Sequence, residues 1–119
     1  MLPNRLLKTI STVLFLTLLS LTASAAEYKA CVKYQRSDYT WSHGYKITGF
    51  TIGGSDLNRA TNSYSYSSYN KYFVIPWRKG GYTALRLNSY ENTPPSIESQ
   101  YTDQNGRTWS LQKGWNYCY

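Results

Sequence analysis

The segment that decides the fold runs from Lys71 to Leu87 and reads KYFVIPWRKGGYTALRL. Residues 71–77 are apolar on both faces, which is typical of a strand that is covered on both sides. Pro76 must lie near the end of that strand, because proline cannot donate to the hydrogen-bond ladder. Arg78-Lys79-Gly80-Gly81 then turns the chain into a second strand over residues 82–87. The segment therefore predicts a β-hairpin that contributes a central strand to a sheet.

Short alternating runs separated by Gly, Ser, Asn and Pro continue on both sides of this hairpin. They predict further strands over residues 28–35, 45–52 and 115–119. Gly49, inside the second of these, indicates a bulge or a bend. Residues 53–56 predict a turn and helix cap, followed by one or two helical turns over residues 57–61. The chain is thus expected to be all-β, a small antiparallel barrel or sandwich of about five to seven short strands with at most one short helix.

The last hairpin has two possible registers. A two-residue turn at Asn105-Gly106 would pair Thr102 with Trp109 and leave Tyr101 on the other face. A three-residue loop over residues 104–106, with Gly106 left-handed, would pair Tyr101 with Trp109 and Ser99 with Leu111. We favour the three-residue loop because it places both aromatic rings on one face of the sheet.

The N-terminus has the organisation of a cleavable secretory signal peptide. Arg5 and Lys8 precede an apolar run, and Ala23-Ser24-Ala25 supplies the small residues that a signal peptidase requires. Ser and Thr residues interrupt the apolar run, which is shorter than the roughly 20 apolar residues of a membrane span. We therefore predict a signal peptide over residues 1–25, a single β domain over residues 26–119, and no membrane span after cleavage. This places the protein outside the cell or in a periplasm.

The predicted domain is basic and rich in aromatic residues. It contains all 13 Tyr and all four Trp but few Leu, Ile and Val residues, so its core must be built largely from rings. Removing Arg5 and Lys8 with the signal peptide leaves a net charge of about +5. That charge favours acidic partners. The sequence contains no N-x-S/T glycosylation site, which agrees with a bacterial source.

The two cysteines lie near the two ends of the predicted domain. In an exported chain Cys31 and Cys118 can pair only with each other, and the bond would close a loop of nearly the whole domain. The chain-entropy model assigns such a closure about 4–5 kcal/mol. Each cysteine falls on the polar face of its predicted strand. We therefore expect the two terminal strands to be neighbours, joined on the outside of the sheet.

Residues 62–70 alternate Ser and Tyr and form the first candidate binding surface. A tyrosine ring gives rigid contact area, its hydroxyl adapts its hydrogen bonds, and the ring can also stack on a sugar. We predict binding roles for Tyr64, Tyr66 and Tyr69. The alternative is a solvated edge strand or loop whose rings pack over the barrel.

Trp77, Arg78 and Lys79 form the second candidate, a compact basic and aromatic cluster. Such a cluster is typical of sites for phosphate-rich or acidic polymers. The alternative is a charged hairpin tip that contributes only to solubility.

The sequence offers little for catalysis. Its only histidine is His43, and it contains neither a G-x-S-x-G motif nor a cluster with metal-ligand spacing. A small hydrolase would have to combine His43 with Asp38 or Glu98 and an arginine, and nothing in the spacing groups them. We therefore expect no catalytic residue, no metal and no cofactor.

Three functional hypotheses follow. The first is an exported, non-enzymatic binding or accessory protein that recognises a glycan, an envelope component or another acidic polymer through Tyr, Trp and Arg. The second is a protein–protein module, such as an inhibitor or an immunity protein for a toxin or a hydrolase. The third is a small secreted hydrolase that uses His43.

Overall fold

The computed structural model describes residues 25–119, so the predicted signal peptide lies outside the described residues except for Ala25. The chain order of the elements is β1 (Glu27–Tyr34), β2 (Tyr45–Gly53), α1 (Gly54–Thr61), β3 (Lys71–Pro76), β4 (Tyr82–Arg86), β5 (Ser99–Thr102) and β6 (Thr108–Lys113). The all-β prediction with one short helix is confirmed. No helix within residues 25–119 is long and apolar enough to cross a membrane.

The six strands form one antiparallel sheet in the order β4-β3-β2-β1-β6-β5, which curves into a nearly closed barrel. The seam between β4 and β5 is bridged by a side chain. The Gln104 carbonyl oxygen accepts a hydrogen bond from the Ala84 N–H at 2.9 Å, and its amide donates to the Tyr82 carbonyl at 2.8 Å. A side-chain amide thus replaces one peptide unit along the exposed edge of β4.

The barrel interior is filled by aliphatic and aromatic side chains from five strands and from Leu87. Its buried members are Ala30, Val32, Phe73, Ile75, Leu85, Leu87, Tyr101, Trp109 and Leu111. The polar end of Tyr101 is satisfied, because its hydroxyl donates to both Glu91 carboxylate oxygens at 2.8 and 3.0 Å. Burial, and then this hydrogen bond, raise the pKa of Tyr101 above its usual value. Six of these nine members are aliphatic and three are rings, so the interior is built only partly from rings, and not largely from rings as the composition predicts.

The strand β3 is covered on both faces, as predicted. Phe73 and Ile75 point into the barrel, while Tyr72 and Val74 belong to a second buried cluster on the outside. Pro76 ends the strand. The helix α1 covers this outer cluster with Leu57, which is fully buried. The outer cluster explains why the apolar run 71–77 has no polar face.

The helix begins at Gly54, earlier than predicted, and has no side-chain cap. Its first residue must be glycine, because a Cβ on Gly54 would lie 1.7 Å from the Ser67 carbonyl oxygen. Residues 62–70, called here the Ser/Tyr loop, follow α1 over the same face of the barrel. Asn58 holds this loop, since its amide donates to the Tyr66 carbonyl at 2.8 Å and its oxygen accepts from the Tyr66 N–H at 2.9 Å.

The preferred register of the last hairpin is confirmed. Ser99 pairs with Leu111 and Tyr101 pairs with Trp109. Gly106 is left-handed, with a φ of 83°. The register follows from turn chemistry, because only this loop combines the left-handed glycine with both rings on the inner face.

Gly49 does not mark a bulge. The pairing of β1 with β2 runs without interruption from Glu27 opposite Phe50 to Val32 opposite Tyr45. A Cβ on Gly49 would lie 2.5 Å from the Phe73 ring, so the glycine makes room for that ring.

The predicted disulfide is present, but its second cysteine does not lie in a strand. Cys31 and Cys118 are bonded with a Cα–Cα distance of 5.6 Å. The predicted strand over residues 115–119 is wrong, because β6 ends at Lys113 and Gly114 has a φ of 91°. Residues 114–119, called here the C-terminal tail, leave the ladder and cross the outside of the barrel. The tail is fixed over β2 by the Trp115 indole N–H, which donates to the Ile47 carbonyl at 2.9 Å.

Candidate functional site: the hairpin end of the barrel

Three turns lie at one end of the barrel, called here the hairpin end. They are residues 35–44 between β1 and β2, residues 77–81 between β3 and β4, and residues 103–107 between β5 and β6. They meet because each joins two antiparallel neighbours and because β1 pairs with both β2 and β6. The connections from β2 to β3 and from β4 to β5 are longer and lie at the other end. Topology therefore brings together three short segments that are far apart in the sequence.

A row of aromatic rings runs across this end. Trp77 stacks on Trp109 with ring centroids 6.0 Å apart, and Trp109 meets Tyr34 edge-on at 5.7 Å. Tyr34 stacks on Tyr45 at 6.1 Å, and Tyr45 contacts His43 at 4.2 Å. Trp109 is buried, whereas Trp77, Tyr34 and Tyr45 are half-buried and His43 is exposed. The row thus connects the core of the barrel with its solvated rim.

The two tryptophan rings are held by their N–H groups. The Trp77 indole donates to the Thr83 hydroxyl, and the Trp109 indole donates to the Asp103 carboxylate, each at 2.8 Å. The other carboxylate oxygen of Asp103 accepts the backbone N–H groups of Asn105 and Arg107 at 2.8 and 2.9 Å. Asp103 therefore fixes both the last turn and the buried end of the ring row.

Four cations surround the row: Arg36, Arg78, Lys79 and Arg107, all exposed. None of them forms an ion pair with another residue in the range 25–119, where the ion pairs are Lys33–Glu98 and Asp56–Arg59. The Arg107 guanidinium lies 5.0 Å from the centre of the Tyr34 ring, within range of a cation–π contact. The hairpin end is therefore positive.

The two carboxylates at this end serve its turns. Besides Asp103, the end contains Asp38, whose carboxylate accepts the hydroxyl and the N–H of Thr40 at 2.6 and 3.0 Å. These hydrogen bonds lower the pKa of Asp38 below its usual value. The four remaining carboxylates, Glu27, Asp56, Glu91 and Glu98, lie outside the three turns.

The predicted cluster Trp77, Arg78 and Lys79 lies within the hairpin end. Tyr34, Arg36, Tyr45 and Arg107 were not predicted as site residues, because they come from other turns and strands. The sequence signal was weak: each is an aromatic or basic residue within three positions of a predicted strand end. Only the pairing of the strands shows that they adjoin Trp77.

The three predicted tyrosines of the Ser/Tyr loop have different fates. Tyr64 and Tyr69 are 99% and 94% exposed and lie on the outer face of the barrel, away from the hairpin turns. Tyr66 is buried, its ring meets Tyr72 edge-on at 5.1 Å, and its hydroxyl bonds that of Tyr82. The Tyr66 ring packs over the barrel, as the alternative interpretation describes, and its binding role remains a prediction. The binding roles of the other predicted residues remain predictions.

Of the groups considered for hydrolysis, His43, Asp38 and an arginine, Arg36, share the turn 35–44, whereas Glu98 precedes β5. His43 lies in the turn 35–44 against Tyr45, and it makes no hydrogen bond or ion pair with a carboxylate in this range. Glu98 instead pairs with Lys33 at 3.8 Å. The same residues contain no group of three or more His, Cys, Asp or Glu side chains that could hold a metal ion.

Fold and site together describe a small, disulfide-bonded β-barrel with a basic, ring-lined end. Comparisons with protein-family models, with curated proteins and with solved structures find no significant match.

Proposed function

We propose that this protein is an exported, non-catalytic binding protein that holds an acidic polymer, most readily an acidic glycan, at the hairpin end. The observation that carries the proposal is the set of four cations without ion pairs, Arg36, Arg78, Lys79 and Arg107, around the row of rings. Their charge attracts carboxylate, sulfate or phosphate groups over a Debye length of about 8–10 Å in moderate salt. The rings then offer flat contact area to the parts of the polymer between its charges.

Export is part of this proposal. It is supported by the signal-peptide pattern of residues 1–25 and by the disulfide between Cys31 and Cys118. Disulfides persist in oxidising compartments, including the bacterial periplasm and the cell exterior. Acidic glycans and envelope lipids are abundant at the same locations.

The direct test measures binding of three soluble probes: a polyuronate, inorganic polyphosphate and neutral dextran. The change in tryptophan fluorescence is a suitable readout, because Trp77 and Trp109 lie in the row. Both acidic probes should bind and dextran should not compete with them at this site. For ligands held mainly by charge, binding should weaken steeply as salt increases, through the release of counterions.

A pair of matched variants locates the site. Arg78→Gln with Lys79→Gln removes two charges from the hairpin end, while Lys71→Gln with Lys113→Gln removes two from strand ends at the opposite end. The first variant should lower affinity for polyuronate by about tenfold and reduce the salt slope by about two. The second should change affinity by less than about twofold, since it retains the local charges. Equal losses in both variants, or no binding of either polyanion at low salt, would contradict the proposal and favour the protein–protein module.

A further inference from the structure

The Ser/Tyr loop displays an exposed ring on a fixed support. Tyr64 is 99% exposed, so it contributes almost nothing to the packing of the described domain. The loop around it is nevertheless fixed by hydrogen bonds. The Asn58 side-chain amide bonds the backbone N–H and carbonyl of Tyr66, and the Tyr72 hydroxyl accepts from the Ser67 N–H at 2.8 Å. A ligand that covers the Tyr64 ring would therefore pay little of the ordering entropy that a loose loop imposes.

A cavity of about 370 Å³ lies beside this ring, between α1 and the start of the Ser/Tyr loop. Its lining consists of Ser55, Asn58, Arg59, Asn62, Ser63 and Tyr64. Apart from the tyrosine, every residue in this lining has a polar side chain. Ser55 and Asn62 make no side-chain hydrogen bond with another residue in the described range, so their hydroxyl and amide are available to a ligand. The volume is at the small end of the range of ligand pockets, about 300–1,000 Å³.

The charge of the cavity indicates a neutral ligand. The Arg59 guanidinium in the lining lies 3.6 Å from the Asp56 carboxylate. Because this carboxylate offsets the positive charge locally, the cavity lacks the electrostatic attraction for anions that the hairpin end has. The Arg59 side chain is 80% exposed, and its guanidinium retains N–H groups that can donate to neutral oxygens.

We propose that this cavity is a binding site for a neutral pyranose sugar, separate from the hairpin end. A pyranose ring has an apolar C–H face, which can stack on Tyr64, and an edge of hydroxyl groups. Those hydroxyls match the amide of Asn62, the hydroxyl of Ser55 and the guanidinium of Arg59, which offer both donors and acceptors. A nucleotide would also stack on the ring, but its phosphate would gain less from Arg59, whose charge the nearby Asp56 carboxylate offsets. The site does not depend on the proposed function of the hairpin end.

The test uses three probes, the tetrasaccharides cellotetraose, maltotetraose and chitotetraose, with calorimetry or NMR titration in about 0.5 M NaCl. High salt screens charges at the hairpin end to a Debye length of a few ångströms, while stacking and neutral hydrogen bonds persist. At least one of the three probes should bind with a Kd of about 1 mM or tighter. Failure of all three to bind at about 10 mM would overturn the proposal.

Variants at exposed positions test the location without disturbing the fold. Tyr64→Ala should weaken binding by about tenfold, while Tyr64→Phe should retain most of it because the ring remains. Asn62→Gly should weaken binding several-fold through the lost hydrogen bonds, and glycine retains the left-handed backbone of this residue, whose φ is 52°. The matched control is Tyr90→Ala, which removes another exposed ring, in the connection between β4 and β5, and should leave binding unchanged. Unchanged binding in Tyr64→Ala would contradict the site.

The two proposals fail separately. Arg78→Gln with Lys79→Gln should leave tetrasaccharide binding intact, and Tyr64→Ala should leave polyuronate binding intact. Loss of tetrasaccharide binding in the charge variant would overturn the sugar site and assign these ligands to the hairpin end.

Discussion

The outside of the barrel is covered in two different ways. Over β2, β3 and β4, the helix α1 and the Ser/Tyr loop bury an apolar cluster that includes Leu57 and Tyr66. Over β1 and β2, the C-terminal tail leaves Tyr117 and Tyr119 more than 80% exposed and is joined to the sheet by the disulfide. The first covering is stabilised by buried area and side-chain hydrogen bonds. The second buries little area, and it is attached to the sheet mainly by the covalent bond between Cys31 and Cys118.

The largest effect should come from removing that bond. Cys31→Ala with Cys118→Ala should lower the free energy of unfolding by about 4 kcal/mol, because the bond closes a loop with a sequence separation of 87 residues. Urea unfolding measures the loss. Hydrogen exchange should show that amides of the C-terminal tail lose protection before those of α1. Equal loss of protection in the tail and in α1 would show that the tail also stabilises the covering formed by α1 and the Ser/Tyr loop.

The next effect concerns the buried ring of the first covering. Tyr66→Ala should destabilise the protein by about 3 kcal/mol, because it leaves a cavity and removes the hydrogen bond between the Tyr66 and Tyr82 hydroxyls. Its matched control is Tyr64→Ala, two positions away but fully exposed, which should change stability by less than about 0.5 kcal/mol. Urea midpoints of the two variants decide the matter. Similar values would mean that the ring of Tyr66 does not support the covering.

A smaller loss is expected where α1 meets the Ser/Tyr loop. Gly54→Ala places a Cβ 1.7 Å from the Ser67 carbonyl oxygen, so the backbone of the loop or the helix must move. Overpacking of this kind costs about 1–3 kcal/mol. Gly53→Ala is the matched control, because a Cβ at Gly53 meets nothing within 4 Å. Thermal unfolding of both variants measures the difference, and equal melting temperatures would contradict the close contact.

The covering formed by α1 and the Ser/Tyr loop should also contribute less to the free energy of unfolding at high pH. Burial, and then the hydrogen bond with Tyr82, raise the pKa of Tyr66 in the folded state above its unfolded value of about 10. The stabilisation is therefore complete below about pH 10 and is lost as pH rises from there towards the folded pKa. Urea midpoints between about pH 8 and 11 should fall less for Tyr66→Phe, which cannot ionise, than for the wild type. An equal fall of the urea midpoint in the wild type and in Tyr66→Phe would contradict the raised pKa of Tyr66.

The smallest effect should come from the non-covalent contacts of the tail. Trp115→Phe removes the indole N–H that donates to the Ile47 carbonyl, and should cost about 0.5–1 kcal/mol. The Lys29 ammonium, 4.7 Å from the Trp115 ring, should keep part of its contact with the new ring. Urea unfolding with the disulfide intact provides the measurement. A loss as large as that of the cysteine variant would mean that the indole, and not the disulfide, holds the tail.

Much of the fold could be predicted because its causes are local. The run 71–77 is apolar on both faces, and the strand β3 is indeed covered on both sides. The turn at Gly106 fixed the register of the last hairpin through one left-handed residue. The strand over residues 115–119 was predicted from local alternation alone. That prediction is wrong because the same alternation also occurs in an exposed tail. In that segment Gly114 and the disulfide determine the path, and alternation does not.

The candidate sites were less predictable because they combine distant segments. Trp77, Arg78 and Lys79 are consecutive and could be recognised as a cluster. Arg36 and Arg107 adjoin them only because β1 lies between β2 and β6 in the sheet. Within the Ser/Tyr loop, the sequence treats Tyr64 and Tyr66 alike, whereas packing buries one and exposes the other.

The sequence by itself determined an all-β domain with one disulfide and the register that the turn at Gly106 imposes on the last hairpin. These properties depend on neighbouring residues and on a cysteine count that permits one pairing. Only the tertiary structure decided which rings and cations face solvent together. Strand order is set by the burial of the whole sheet, and no short stretch of the chain contains that information.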